Sequence, residues 1–144
     1  DCLDRLEAEV LSSDRLRKQL CGLDDSEPAR APWGEGIYDP ATTERTYERL
    51  LGSGLAKARA GHHVILDASF TERDRRDRAR RAAEEAGVRC LSVVTVLDEA
   101  TQRMRLRDRM GREGPSDGRV ELMQRQREAY QPPDEIPEGE RVVV

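Results

Sequence analysis

Residues 62–70 read HHVILDASF. Apolar side chains that follow one another without polar alternation belong to a strand buried on both faces, the pattern of a parallel sheet covered by helices. The run ends on an acid, Asp67. A second run, VRCLSVVTVL at 88–97, has the same character, and a shorter one, AEVLSS at 8–13, leads directly into Asp14. RVVV at the end of the chain reads as a fourth strand.

Helical patterns separate these runs. Asp14 to Leu20 is predicted as a helix that Ser13 or Asp14 can cap and Gly22 closes. DPATTERTYERLLGSGLAKARAG is predicted as a long helix opened by Asp39 or Thr42. It carries an apolar stripe of Tyr47, Leu50, Leu51 and Leu55 and ends at Gly61. TERDRRDRARRAAEEAG is a charged helix stopped by Gly87, and DEATQRMRLRDRM and RVELMQRQREAY are two more. DCLDRLE has the look of a helix's last turns. Residues 23–40 and GREGPSDG read as loops and QPPDEIPEGE as a linker. No internal repeat is visible. Strands alternating with helices predict an α/β fold, a three-layer parallel sheet with helices on both faces, and 144 residues suit one domain.

Composition narrows the function classes. The net charge of −4 argues against broad nucleic-acid binding. Only Lys18 and Lys57 are lysines, and the other cations are arginines, which suit forked contacts to phosphate and carboxylate, although genomic base composition is the simpler reason for so many. Cys2, Cys21 and Cys90 have the spacing of neither a zinc site nor a disulfide framework. No apolar run approaches membrane-spanning length. A reducing cytoplasm is the expected setting.

In parallel α/β sheets, ligands bind beyond the carboxyl ends of the strands. Asp14 and Asp67 both stand there. Either alone would be read as a helix cap or turn former, whereas two at equivalent places on neighbouring strands mark a candidate site.

The ordered segments VLSSDRLRKQLCGL, IYDPATTERTYERLL, GHHVILDASFTERDRRDRAR and RMRLRDRMGREGPSDGRVELMQRQREAYQPPDE resemble a P-loop kinase-like AAA family ATPase domain. The type is the bacterial predicted kinase often fused to an aminoglycoside-phosphotransferase-like domain. It is more distantly similar to polynucleotide kinase, gluconate kinase and zeta toxin. The likeness covers nearly the whole chain, in order.

The departure lies at the start. Such domains open with a strand and a phosphate loop, G-x-x-x-x-G-K-[ST], whose backbone N–H groups cradle the phosphates. Neither Lys18 nor Lys57 follows a glycine, and LLGSGLAK around Gly52 and Gly54 lies inside a helix pattern. The chain is therefore expected to begin just downstream of that loop. The missing strand would lie centrally, between those of Asp67 and Cys90, and the domain would also be cut at its C-terminus.

The resemblance implies an ATP- and Mg2+-dependent phosphotransferase acting on a hydroxyl of a small molecule or a nucleic-acid end. Asp14 falls where the catalytic base sits, and Arg15 and Arg17, with Ser13 and Tyr38, fall where the acceptor is held, unless one of the two arginines simply pairs with a surface Glu or Asp. Asp67 falls at the Walker B-like place that holds Mg2+. RMGRE is similar to the arginine-bearing lid of small P-loop kinases. Arg109 and Arg112 would there act on the transferring phosphoryl group, with Arg109 also touching ATP, and Gly111 and Gly114 would allow the hinge.

Arg105 is expected to be structural or to stack near the base, and Arg103 and Arg107 to lie on a solvated helix face. His62 and His63 read as a surface turn, since two adjacent histidines make no metal site. Trp33 and Tyr38 either line the acceptor pocket or anchor the long loop, and Tyr47 reads as helix core. The alternative function is a non-catalytic module that keeps the α/β scaffold without nucleotide binding.

Overall fold

The structure, a computed structural model, describes residues 7–25, 34–98, 100–101, 104 and 128–144. The chain divides into two compact units. The first comprises residues 1–70 and 74–89, and the second residues 71–73 and 90–144.

In the first unit, β1 (Glu9–Ser12) pairs in parallel with β2 (Val64–Asp67). The register sets Leu11 opposite Leu66 and Ser12 opposite Asp67. Helix α1 (Ser13–Leu20) follows β1 without a loop. Its N-cap is Ser12, whose side chain makes no capping bond, so neither Ser13 nor Asp14 caps it as expected. Both lie inside the first turn, where Asp14 suits the positive end of the helix dipole. The predicted loop at 23–40 contains a short 3-10 turn, Gly36–Tyr38.

Helix α2 (Pro40–Arg59) has two start signals working together. Pro40 occupies the first turn, and the Asp39 carboxylate accepts from the Ala41 and Thr42 N–H groups at 2.9 and 3.0 Å. Gly61 ends it at φ +92, and the bonds from His62 N–H to Lys57 O and from Gly61 N–H to Ala58 O form a Schellman motif. The same bond pair closes α1 at Gly22 and α3 (Arg73–Glu85) at Gly87.

The buried face of α2 is Thr46, Tyr47, Leu50 and Gly54. The expected stripe is thus turned: Leu51 and Leu55 are only half-buried. Gly54 explains the turn. A Cβ there would stand 2.7 Å from Leu66 Cδ2, so the bare backbone lets α2 settle directly on β2. The expectation that β2 is buried on both faces is not met: Val64, Ile65 and Leu66 are half-buried. Helix α3 is tied to α2 through Glu44, which accepts from both Arg75 and Arg78. That bond is the main reason the Arg78 pKa is raised.

In the second unit, β3 (Ser92–Val94) pairs in parallel with β4 (Arg141–Val143), with Val93 opposite Val142. Bonds from Val96 N–H to Val144 O and from Val144 N–H to Val94 O extend the ladder. Strand β3 is shorter than the apolar run that predicted it. The stretch expected to be a linker is packed instead. Ile136 is 3% exposed, and Arg141 donates to Pro133 O at 2.9 Å. Asp98 receives the Thr101 N–H and hydroxyl, opening the next helix, and the Thr101 hydroxyl is the main reason its pKa is lowered. Most of the two helices expected over DEATQRMRLRDRM and RVELMQRQREAY falls outside the described residues.

The two helical glycines of α2 separate propensity from packing. Gly52→Ala meets no atom within 4 Å and is expected to stabilise the fold by roughly 0.5–1 kcal/mol. Gly54→Ala gains the same propensity but must displace Leu66. It is expected to fall at least ~1 kcal/mol below Gly52→Ala in denaturant unfolding, and equal stabilities would refute the close approach.

Candidate functional site

Of the predicted residues, Ser13, Asp14 and Asp67 stand at the carboxyl edge of the β1–β2 pair. Because Ser12 lies opposite Asp67, Asp67 and the first turn of α1 leave the sheet at the same edge. Asp67 is exposed. The Asp14 side chain is 58% exposed and stands 3.5 Å from Lys18 one turn on, a spacing that suits an acid preceding a base. Ser13, the first residue of α1, is half-buried.

The two arginines behind Asp14 differ sharply. Arg15 is open to solvent and lies 3.7 Å from Asp25. Arg17 is 8% exposed. Its guanidinium donates to Ile37 O at 2.9 Å and to Thr43 Oγ1 at 2.8 Å, and lies over the Tyr38 ring at 5.1 Å. Arg17 therefore fastens the 3-10 turn and the start of α2 to α1. Tyr38, half-buried, has an anchoring contact through this stack. The neighbouring Asp39 carboxyl has a lowered pKa, first through the Thr42 side chain, then through backbone bonds, with a smaller contribution from Arg17.

The segment after Asp67 is held from several sides. Phe70 has φ +40, a left-handed conformation that costs a bulky residue about 1–2 kcal/mol. Its N–H donates to Tyr47 Oη at 3.3 Å, and its carbonyl accepts from Arg76 at 2.9 Å. Ser69 Oγ lies 3.2 Å from the same tyrosine oxygen. The Tyr47 and Phe70 rings meet edge to face at 5.4 Å, and Arg75 covers the Tyr47 ring at 4.3 Å. Two bonds worth about 1 kcal/mol each and an aromatic contact worth about 0.5–1.5 kcal/mol offset the strain. Sequence reading placed Tyr47 in the core and gave Ser69 and Arg76 no role. A left-handed phenylalanine has no sequence signature that could have drawn attention to them.

His62 and His63 are exposed, as a surface turn would be. His62 Nδ1 lies 3.4 Å from Glu9, which also pairs with Lys57, and the Lys57 bond is the main cause of Glu9's lowered pKa. Trp33, Arg109, Arg112, Gly111 and Gly114 lie outside the described residues, as do Arg103, Arg105 and Arg107.

Among the described residues, no group of three or more His, Cys, Asp or Glu side chains could hold a metal ion. Mg2+ takes one or two carboxylates and completes its shell with water and substrate phosphate, and Asp67 offers one exposed carboxylate at a strand's carboxyl end. Among the same residues no helix is long and apolar enough to cross a membrane.

Parallel strands with acids at one carboxyl edge place a site where ligands bind in many α/β folds, P-loop nucleotide-binding proteins among them. The family described as AAA domain matches residues 1–133, and the chain belongs to that family. Its fold is thus of the P-loop NTPase type, and ATP with Mg2+ is what such domains generally use. The chain is 31% identical over 97 residues to the uncharacterized protein Rv2004c of Mycobacterium tuberculosis and to the uncharacterized protein Mb2027c of Mycobacterium bovis. Each match covers 62% of this chain and 19% of the relative, so the chain spans about a fifth of the length of the curated relatives it matches. No solved structure matches it.

Two substitutions probe the scaffold around the site. Arg17→Met keeps the stem but leaves the Ile37 carbonyl and the Thr43 hydroxyl without their partner, with an expected loss of about 1–3 kcal/mol in denaturant unfolding. Asp39→Ala is expected to lower the thermal midpoint at neutral pH. A carboxyl with a lowered folded pKa stabilises above its unfolded value and loses that contribution as pH falls through the folded one. The gap between wild type and Asp39→Ala should therefore close below the ordinary aspartate value of 3.8. A gap that stays constant down to pH 2 would contradict this.

Proposed function

We propose that this chain belongs to an ATP-dependent kinase domain that moves the γ-phosphate to a hydroxyl of a small molecule or of a nucleic-acid end. The observation that carries this reading is the in-register parallel pairing of Ser12 with Asp67, from which both acids leave one edge of the sheet. Asp14 is the general base: as the hydroxyl oxygen bonds to the γ-phosphorus, its proton passes to the Asp14 carboxylate and ADP leaves with the broken P–O bond. Asp14 stands in the first turn of α1, exposed and within reach of an incoming substrate. Arg15, with Ser13 and Tyr38, faces the acceptor. Arg17 serves the same pocket by holding Tyr38 and the 3-10 turn.

Asp67 is the residue to hold Mg2+, which when bound neutralises charge on the transferring phosphate. Arg109 and Arg112 complete the charge complement from the lid. The acidic net charge and the exposed carboxylates favour a small or terminal acceptor over binding along a nucleic acid.

The sequence of residues 1–144 contains no G-x-x-x-x-G-K-[ST] loop. Isothermal titration of this chain with Mg-ATP is therefore expected to give a Kd no tighter than roughly millimolar, about 4 kcal/mol of binding. Micromolar binding would mean that the phosphates are held by other residues of this chain. Joining an upstream strand and phosphate loop is expected to restore nucleotide binding. In that protein Asp14→Asn should lower kcat by about 10²–10⁴-fold while sparing ATP affinity. Unaltered transfer by Asp14→Asn would remove the proposed base.

A further inference from the structure

Tyr47 is 5% exposed, and space-filling alone would need only its ring. Its hydroxyl nevertheless accepts from the Phe70 N–H at 3.3 Å and shares a bond with Ser69 Oγ at 3.2 Å. Arg76 holds the carbonyl of the same Phe70 at 2.9 Å. Both backbone groups of a residue at φ +40 are thus fixed. Asp67, at the other end of the short segment, is fixed by its pairing with Ser12. The carboxylate therefore sits on a turn clamped at both ends, one end by the sheet and the other by a phenol reaching out of α2.

We infer that Tyr47 is the positioning residue for Asp67, orienting its carboxylate toward a divalent cation through the turn at residues 68–70. This rests on the reading of Asp67 as the residue that holds Mg2+. The chemistry supplies the reason. Mg2+ demands near-ideal octahedral geometry, so a lone carboxylate must be presented in one orientation. Groups that hold a ligand in place typically govern metal affinity by 10–100-fold. Without the phenol oxygen, the Phe70 N–H loses its acceptor and the left-handed turn loses one of the bonds that maintain it.

Tyr47→Phe isolates the hydroxyl, because the ring remains to meet Phe70 and Arg75. In the protein joined to an upstream strand and phosphate loop, two quantities are measured. One is hydrogen exchange of the backbone at residues 68–70. The other is the Mg2+ concentration needed for half-maximal enhancement of ATP affinity, with Asp67→Asn run beside it. Exchange at 68–70 is expected to quicken about 10-fold while exchange in α2 is unchanged. The Mg2+ requirement should rise about 10-fold, with ATP affinity in EDTA unaltered. Faster exchange with an unmoved Mg2+ requirement would show a merely structural hydroxyl and overturn the inference, as would unchanged exchange.

If Asp67→Asn raises the Mg2+ requirement and Tyr47→Phe does not, the inference falls and the assignment of Asp67 stands. If neither variant moves it, the assignment falls and the inference falls with it. Should Tyr47→Phe fail to fold, Ser69→Ala and Arg76→Lys each remove or weaken one partner of the clamp. A Mg2+ requirement unmoved in both would overturn the inference equally.

Discussion

The register of β1 on β2 is the constraint on which the candidate site depends. Side chains alternate across a strand, so a slip by one residue would send Asp67 to the opposite face and break its alignment with Ser12. Two features hold that register. Glu9 N–H donates to His63 O at the start of the ladder. Leu66, opposite Leu11, is seated against Gly54 of α2. The glycine therefore acts on the site at a distance, by deciding how closely the helix can press on the strand that ends in the acid.

Two buried arginines and one buried tyrosine then convert a simple sheet edge into a shaped one. Arg17 links α1 to the 3-10 turn and to α2, and Arg76 links α3 to the turn after β2. Tyr47 sits between, with its ring under Arg75 and its oxygen on the Ser69–Phe70 segment. Burying a guanidinium is costly unless its N–H groups find oxygen partners. Here they find backbone carbonyls of loops, so that loop shape and arginine burial require each other.

Much of this was legible in the sequence, for physical reasons. Unbroken apolar runs marked β2 and β3, Pro40 after Asp39 marked the start of α2, and Gly22, Gly61 and Gly87 marked three helix ends because each needs a positive φ. The ordered segments pointed to the P-loop family. Tertiary packing was not legible. The apolar stripe of α2 follows from the helical spacing of its apolar residues, but a residue with no side chain, Gly54, sets the contact face. Ile136 is buried in a stretch whose prolines and acids read as a linker. At the site, the acids could be placed by their strand ends, while the commitment of Arg17 to Ile37 and Thr43 could not be foreseen. An arginine beside an acid looks the same in sequence whether it faces solvent or a loop.

Gln131 has a consequence for the order in which the molecule can be completed. Its backbone N–H donates to Thr71 O, and its side chain accepts from the N–H of Arg73, the first residue of α3. A helix start carries donors that its own turns cannot satisfy. On a ribosome, which adds residues one at a time from the N-terminus, the opening of α3 meets this partner only once a glutamine 58 residues later has been made. Until then, α3 lacks one of its terminal partners.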